Sequence, residues 1–225
     1  MLNDLSNFSS AVLSTRLDTA WSYDERTGRY RDERGRFLSQ SAVEAIVDSR
    51  IERLDATLRR ITGMMASGNI TLEQWQASVR EAIKAAHIQA AIIGNGGRGR
   101  MGPAEYGRVG QRLGQEYRYL QNFAGDLLAG RISAPMALAR ISLYSQSVRG
   151  SFWQGTEMRR QQQGFSLMRR ILDPQAQHCS DCIGFAAQGI VSLGTLPLPG
   201  QRCACRSRCK CRVVYYRQQA PVATV

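Results

Sequence analysis

The residues best suited to chemistry in this chain are its six cysteines, which all fall within residues 179–211. They comprise a Cys-x-x-Cys pair and a later group of four: Cys179 and Cys182, then Cys203, Cys205, Cys209 and Cys211. A Cys-x-x-Cys turn places two thiolates on one metal ion, and a second pair from a distant turn completes the tetrahedron. A module this small cannot be held by apolar burial alone, so bound metal would supply much of its folding free energy. The spacing therefore predicts a structural Zn²⁺ site.

Six thiols exceed the four that one zinc ion takes, so the ligands must be chosen among them. The predicted set is Cys179, Cys182, Cys209 and Cys211, with Cys205 as the alternate ligand and Cys203 as a spare thiol. His178 directly precedes the first cysteine, and adjacent residues rarely point at one metal. It is therefore predicted to lie beside the site.

Disulfide bonds are the alternative to a metal, since an even number of cysteines permits them. The first ten residues carry one acidic residue and three serines where a signal peptide would need basic residues and then an apolar block. The sequence also contains no run of about 18 apolar residues that would span a membrane. We therefore expect a protein made and used in the reducing cytoplasm, where zinc is favoured over disulfides.

Positive charge is concentrated in the second half of the chain. Residues 1–94 carry twelve basic and twelve acidic residues, whereas residues 95–225 carry eighteen and six, so the net charge of +12 lies there. All but two of the basic residues are arginine, whose planar fork suits bidentate contacts with phosphate. A polyanionic neighbour is indicated, either nucleic acid or an acidic protein surface. The alternative is that the basic face is simply solvated and that arginine replaces lysine because the genome is rich in G and C.

Four basic residues alternate with the last cysteines and are the predicted nucleic-acid contacts: Arg206, Arg208, Lys210 and Arg212. Their charges would also lower the pKa values of the neighbouring thiols and offset the charge of a four-thiolate site.

No catalytic constellation can be assembled from the remaining residues. His87 is followed by Ile88 and Gln89, which excludes the His-x-Glu motif of the zinc deaminases. A His-Glu-x-x-His motif is absent, and the glycine-rich loop 94–102 lacks the Gly-Lys-Ser/Thr ending of a phosphate loop. His87 lies within a helical pattern and is predicted to be a packed or surface residue. We therefore expect a protein that is not an enzyme.

The elements that must position the cysteines are mainly helical. Apolar residues at helical spacing predict five helices, which begin at Ser41, Thr71, Pro103, Ser133 and about residue 151. A capping box is expected at each of the first two, formed by Ser41 with Glu44 and by Thr71 with Gln74. Short links between the helices favour an antiparallel bundle or layered helical hairpins.

The chain is divided by these patterns into four parts. Residues 1–40 are predicted to form a helix and an extended arm, and residues 41–163 the helical body. In the arm, residues 21–37 favour a short hairpin that either binds a partner or nucleic acid through its Arg and Tyr residues or covers the bundle. Residues 164–217 form a small β-rich zinc knuckle, in which residues 165–171 pair with Val213, Val214 and Tyr215. Residues 218–225 are a loosely held tail.

The C-terminal module resembles the corresponding region of tailed-phage head morphogenesis proteins, the minor head proteins of the Mu-like family. The shared features are Arg170-Ile171-Leu172-Asp173, His178-Cys179-x-x-Cys182, Leu196-Pro197-Leu198-Pro199-Gly200, and Cys209-Lys210-Cys211 before Val213-Val214-Tyr215. The resemblance covers residues 150–216. Family members often have His-Pro just before the last Cys-x-Cys, whereas Cys203 and Cys205 occupy that region here.

The resemblance implies a structural protein of the virion, assembled in the host cytoplasm and present in a few copies near the portal or inside the head. Its expected partners are capsid or portal proteins and packaged DNA, which it would contact independently of sequence. A cytoplasmic zinc-containing nucleic-acid-binding regulator is the alternative function. A nuclease is disfavoured because the basic half contains no acidic metal-binding cluster.

Overall fold

The computed structural model describes residues 21–218 and shows a mainly helical protein, as the sequence predicts. Its five long helices are α1 (Gln40–Ala66), α2 (Leu72–Asn95), α3 (Pro103–Leu128), α4 (Ala134–Ser147) and α5 (Arg149–Gln162). A short helix α6 (Ser180–Ala187) and two 3-10 turns (Arg98–Arg100 and Arg206–Arg208) complete the helical elements. The predicted N-terminal helix and most of the predicted tail lie outside the described residues. None of the helices between residues 21 and 218 is long and apolar enough to cross a membrane.

The helix starts follow local side-chain chemistry. The capping box at the start of α2 is confirmed, since Thr71 Oγ1 accepts from the Gln74 amide and Gln74 Oε1 accepts from the Thr71 amide. The box predicted at Ser41 is wrong. Helix α1 begins earlier because Ser39, in extended conformation, accepts a hydrogen bond from the Ala42 amide and acts as the N-cap.

Helix α2 lies at the centre of the fold and packs against α1, α3 and α5, while α1 also packs against α4. Trp75 of α2 is fully buried, meets the Phe123 ring edge-on and donates from Nε1 to Thr62 Oγ1. The crossing of α2 and α5 is close because both helices carry glycine there. A Cβ at Gly94 would clash with the carbonyl oxygen of Phe152, and one at Gly155 would lie 2.8 Å from the Ala91 carbonyl oxygen.

The predicted arm is a two-stranded antiparallel hairpin of β1 (Trp21–Asp24) and β2 (Arg29–Asp32). Tyr30 is buried, and its hydroxyl donates to the carbonyl oxygen of Ile93 near the end of α2. The Tyr23 ring packs edge-on against Tyr30. Of the two predicted roles for the arm, the structure shows the covering one, because its aromatic residues join the core of the bundle.

A three-stranded antiparallel sheet follows the helices, in the order β4-β3-β5. Its strands are β3 (Leu167–Ile171), β4 (Ile190–Ser192) and β5 (Arg212–Tyr216). The predicted pairing of residues 165–171 with residues 213–215 is confirmed by β3 and β5, whereas β4 was not predicted. Four residues in and beside the sheet belong to the same apolar core as the helices: Met168, Leu196, Leu198 and Val213. The sheet is therefore continuous with the helical body.

Candidate metal centre

The six thiols converge in two groups that share Cys182. The Sγ atoms of Cys179, Cys182, Cys203 and Cys205 all lie within 4.8 Å of one another, and those of Cys182, Cys209 and Cys211 form the second group. All six cysteines are free. A zinc ion with four bonds of about 2.3 Å to sulfur holds the sulfurs about 3.8 Å apart. The number, type and spacing of these donors thus fit a thiolate-bound metal.

Two loops bring the thiols together. Cys179 is the N-cap of α6 and Cys182 lies in its first turn, so both side chains project from the start of one helix. The other four cysteines surround the 3-10 turn Arg206–Arg208 that leads to β5. Asp181 joins the two segments, because its Oδ2 accepts a hydrogen bond of 2.8 Å from the Ala204 amide.

The grouping differs from the predicted ligand set. Cys179 lies with Cys205 in the four-thiol group, whereas Cys209 and Cys211 lie in the other. Cys203, predicted to be spare, is buried within the four-thiol group. The reason is the 3-10 turn, which separates two Cys-x-Cys pairs and directs the earlier pair toward Cys179. Spacing alone does not distinguish these pairs.

Arg170 is a residue of the centre that the sequence analysis missed. It is 1% exposed, and its Nη2 lies 3.3 Å from Cys209 Sγ and 3.9 Å from Cys182 Sγ. Burial opposes its charge, but the cysteine thiols outweigh burial and raise the pKa of Arg170. The only sequence signal is its spacing of two residues from Met168, which places both side chains on the buried face of β3, while Arg169 faces solvent.

One thiol of each group has a lowered pKa. Burial opposes ionisation of Cys179, but hydrogen bonds from the Cys182 amide and neighbouring groups lower its pKa to about 6. A hydrogen bond from the Cys211 thiol lowers the pKa of Cys209 to about 4. Burial, by contrast, raises the pKa of the shared Cys182. Complete deprotonation therefore needs additional positive charge, which a bound metal ion supplies.

His178 lies at the edge of the second group. Its Nδ1 is 3.7 Å from Cys211 Sγ, and its Nε2 is 2.7 Å from the carbonyl oxygen of Asp173. A carbonyl oxygen only accepts, so Nε2 carries a proton, and in the neutral imidazole the free lone pair is then on Nδ1. His87, in contrast, is fully buried in the helical body between Ser147 and Ser151, which confirms it as a packed residue.

The predicted nucleic-acid contacts differ in exposure. Arg206, Arg208 and Lys210 are exposed, whereas Arg212 is half-buried and contributes positive charge near Glu44. Arg206 has a φ of +46°, and a Cβ at Gly200 would lie 2.9 Å from its carbonyl oxygen. The loop that carries the exposed arginines is therefore tightly folded against itself.

A cleft of about 890 Å³ lies between this loop and α3, α4 and α5, beside the place where the 3-10 turn packs against α4. One acidic residue, Glu116, lines the cleft. Five arginines line it as well: Arg112, Arg140, Arg149, Arg202 and Arg206. Arg112 donates to the Ser147 carbonyl oxygen, Arg140 pairs with Asp126 at 2.7 Å, and Arg149 pairs with Asp48 at 2.5 Å. The charges of Arg112, Arg202 and Arg206 exceed that of Glu116, so the cleft and its rim are electropositive, which suits an anionic ligand.

Comparison of the chain with protein-family models, curated protein sequences and solved structures finds no match. The likeness to phage head morphogenesis proteins thus rests on the motifs quoted from the sequence and stays a prediction. The described structure itself establishes a mainly helical fold with a small C-terminal sheet and a cysteine cluster whose thiols lie within metal-binding distance.

Proposed function

We propose that this chain is a non-enzymatic structural protein of a tailed-phage virion, a minor head or portal-associated protein that contacts packaged DNA. In this proposal Zn²⁺ holds the cysteine module closed, because four thiolates in a tetrahedron are a typical structural zinc site. The observation that carries the proposal is the loop of residues 199–211. Its thiols point into the protein and its arginines point into solvent.

The charge of this loop is available to a ligand. Within residues 21–218, the exposed side chains of Arg202, Arg206, Arg208 and Lys210 form no salt bridge. Each cation that neutralises a phosphate releases a counterion, so binding is strongly salt-dependent and indifferent to sequence. A protein that lines packaged DNA needs this kind of contact.

The helical body offers apolar side chains for a protein partner. Leu128 at the end of α3 is 80% exposed, and Met136 near the start of α4 is 57% exposed. Single exposed apolar side chains are common on protein surfaces and do not by themselves indicate an interface, but they offer contacts to a partner. The resemblance to minor head proteins supports capsid or portal proteins as that partner, in several copies within the assembled particle.

The decisive test is the composition of purified particles made by the genome that encodes this chain. Quantitative mass spectrometry should find the chain in the particles, with fewer copies than the main capsid protein. Its absence from complete particles would contradict the proposed function.

DNA binding tests the charged surface directly. The full chain should bind unrelated duplexes with equal affinity, and the logarithm of that affinity should fall linearly with the logarithm of salt concentration. The double substitution Arg206→Ala with Arg208→Ala should reduce that slope by roughly 2. Arg26→Ala, which removes an exposed arginine from the hairpin in the uncharged half, is the matched control. Preference for one sequence would favour the regulator instead.

A further inference from the structure

The two thiol groups of the metal centre have one sulfur in common. Cys182 belongs to the complete four-thiol group and also to the three-thiol group with Cys209 and Cys211. We propose that the chain binds two divalent ions of the zinc class, bridged by the Cys182 thiolate, with His178 as a ligand of the second ion. This inference rests on the proposed metal site and is independent of the role in the virion.

The donors of the centre match this arrangement in number. Two four-coordinate ions need eight donor positions, and six cysteines fill seven of them when the bridging thiolate is counted twice. The four-thiol group is already complete. The open position therefore belongs to the second ion, beside Cys209 and Cys211.

His178 is placed and oriented to fill that position. Its Nδ1 lies 3.7 Å from Cys211 Sγ, close to the roughly 3.6 Å that separates nitrogen and sulfur ligands of a tetrahedral zinc ion. The proton on Nε2 is held by the Asp173 carbonyl oxygen at 2.7 Å, an outer contact that metal-binding imidazoles typically make. Nδ1 lies outside the three-thiol group in this structure, so loading draws the ring inward.

Two ions also explain how neighbouring residues can both be ligands. Cys179 and His178 are adjacent in sequence, and adjacent side chains point in different directions. With a single ion one of them must be left out. With two ions, Cys179 binds the first ion on the side of Cys203 and Cys205, and His178 binds the second on the side of Cys211.

The buried guanidinium of Arg170 supports the same conclusion. Six thiolates and two divalent ions leave two negative charges, and Arg170 lies against the bridging Cys182 and against Cys209. Cys209 and Cys211 are 2% and 1% exposed, so no solvent reaches their charge. A buried cation needs an anionic partner, and the thiolates of the second group provide one at the place where the second ion binds.

The experiment uses the full chain, loaded with zinc under reducing, oxygen-free conditions and then freed of excess metal. Native mass spectrometry and elemental analysis should find two zinc ions per chain. Loading with ¹¹³Cd should give two NMR signals of equal intensity, one from a four-sulfur site and one from a site with three sulfurs and a nitrogen.

Variants of His178 test the ligand assignment. His178→Ala should reduce the zinc content to one ion, and His178→Cys should restore two ions and shift the second ¹¹³Cd signal toward that of the four-sulfur site. Because His178→Cys keeps a donor at this position, it separates loss of a ligand from loss of folding.

Three results would overturn the inference. One zinc ion in the unaltered chain would leave a single-ion centre and leave the proposed function intact. Two ions that both persist in His178→Ala would show that His178 is not a ligand. No zinc at all would overturn the inference together with the zinc component of the proposed function, whereas the recovery of the chain from particles is measured separately.

Discussion

The helical body and the cysteine module are stabilised in different ways. In the body, large apolar side chains such as Trp75, Ile83 and Phe123 are completely buried, and each contributes roughly 1.5–3 kcal/mol through burial. The inner side of the cysteine module instead contains six thiols and the guanidinium of Arg170, with only Leu172 and Phe185 as apolar neighbours packed against the thiols. Removing these polar groups from water is favourable only when their charges are matched.

The boundary between the two kinds of stabilisation does not coincide with the start of the sheet. Met168 of β3 and Val213 of β5 belong to the core of the body, although both strands lead into the thiol cluster. The cysteines themselves lie in the segments 173–183 and 199–211, and the 3-10 turn of the second segment also packs against α4. The comparison teaches that apolar packing fixes the sheet, whereas the proposed metal would fix the loops that carry the surface arginines.

Metal removal is expected to have the largest effect, and only on the loops. Structural zinc contributes about 10–16 kcal/mol of binding free energy in small zinc-dependent folds. Treating the zinc-loaded chain with a chelator should therefore release residues 173–183 and 199–211 to rapid hydrogen exchange. The five long helices should stay protected, and the helical circular dichroism signal should change little. Loss of protection in α2 would show that the body also depends on the metal.

Acid should weaken the body through His87. Burial is the main cause that lowers its pKa from 6.5 to about 3, and the nearby Arg112 lowers it further. As the pH falls, the unfolded chain takes up a proton on His87 at a higher pH than the folded chain does. The free energy of unfolding is therefore undiminished above pH 6.5 and decreases as the pH falls toward 3. The loss between pH 7 and 4.5 should be about 3 kcal/mol.

Urea unfolding at the two pH values measures this loss. His87→Gln can still exchange hydrogen bonds with Ser147 and Ser151 but does not titrate. The difference in the free energy of unfolding between the unaltered chain and this variant should therefore change by about 3 kcal/mol between the two pH values. Release of zinc at low pH would affect both proteins equally and cancels in this difference. An equal pH dependence in both proteins would assign the acid sensitivity to other groups.

Adding a methyl group should have opposite effects on stability at two helical glycines, Gly94 at the helix crossing and Gly107 on the surface. Gly94→Ala places Cβ against the backbone of α5 and should destabilise the body by about 1–3 kcal/mol. Gly107→Ala, at an exposed helical position with open space around it, should stabilise the protein by about 0.5–1 kcal/mol. Thermal unfolding of both variants measures these changes, and equal shifts would contradict the close crossing.

The effect expected at Arg170 is on metal affinity and leaves the fold of the body unchanged. Replacing it with leucine removes the cation beside Cys209 and should weaken zinc binding by about 10- to 100-fold, the usual cost of losing an outer contact of a metal site. Arg169→Leu changes the neighbouring position, which faces solvent, and should leave the affinity unchanged. Competition with a coloured zinc chelator measures both affinities. Similar losses in the two variants would indicate a general effect of charge.

Local signals determined how much of this fold could be predicted from the sequence. Thr71, Pro103 and Ser133 mark helix starts correctly because capping and proline geometry act over one turn. Ser41 misleads because Ser39 competes for the same role. The sequence predicts that the cysteines assemble, but the sharing of Cys182 depends on how a 3-10 turn folds. The inward position of Arg170 depends on strand register, which the pairing of β3 with β5 decides.

The close crossing of α2 and α5 has a mechanical consequence. At Gly94 and Gly155 the backbones of the two helices are in direct contact, with no side chains between them. We therefore expect α2 and α5 to move together as one rigid unit. Helix α5 passes almost directly into β3, whose Arg170 braces the thiol cluster. A continuous series of close contacts therefore runs from the hairpin end of α2 through α5 and β3 to the thiol cluster and the arginine loop beside it.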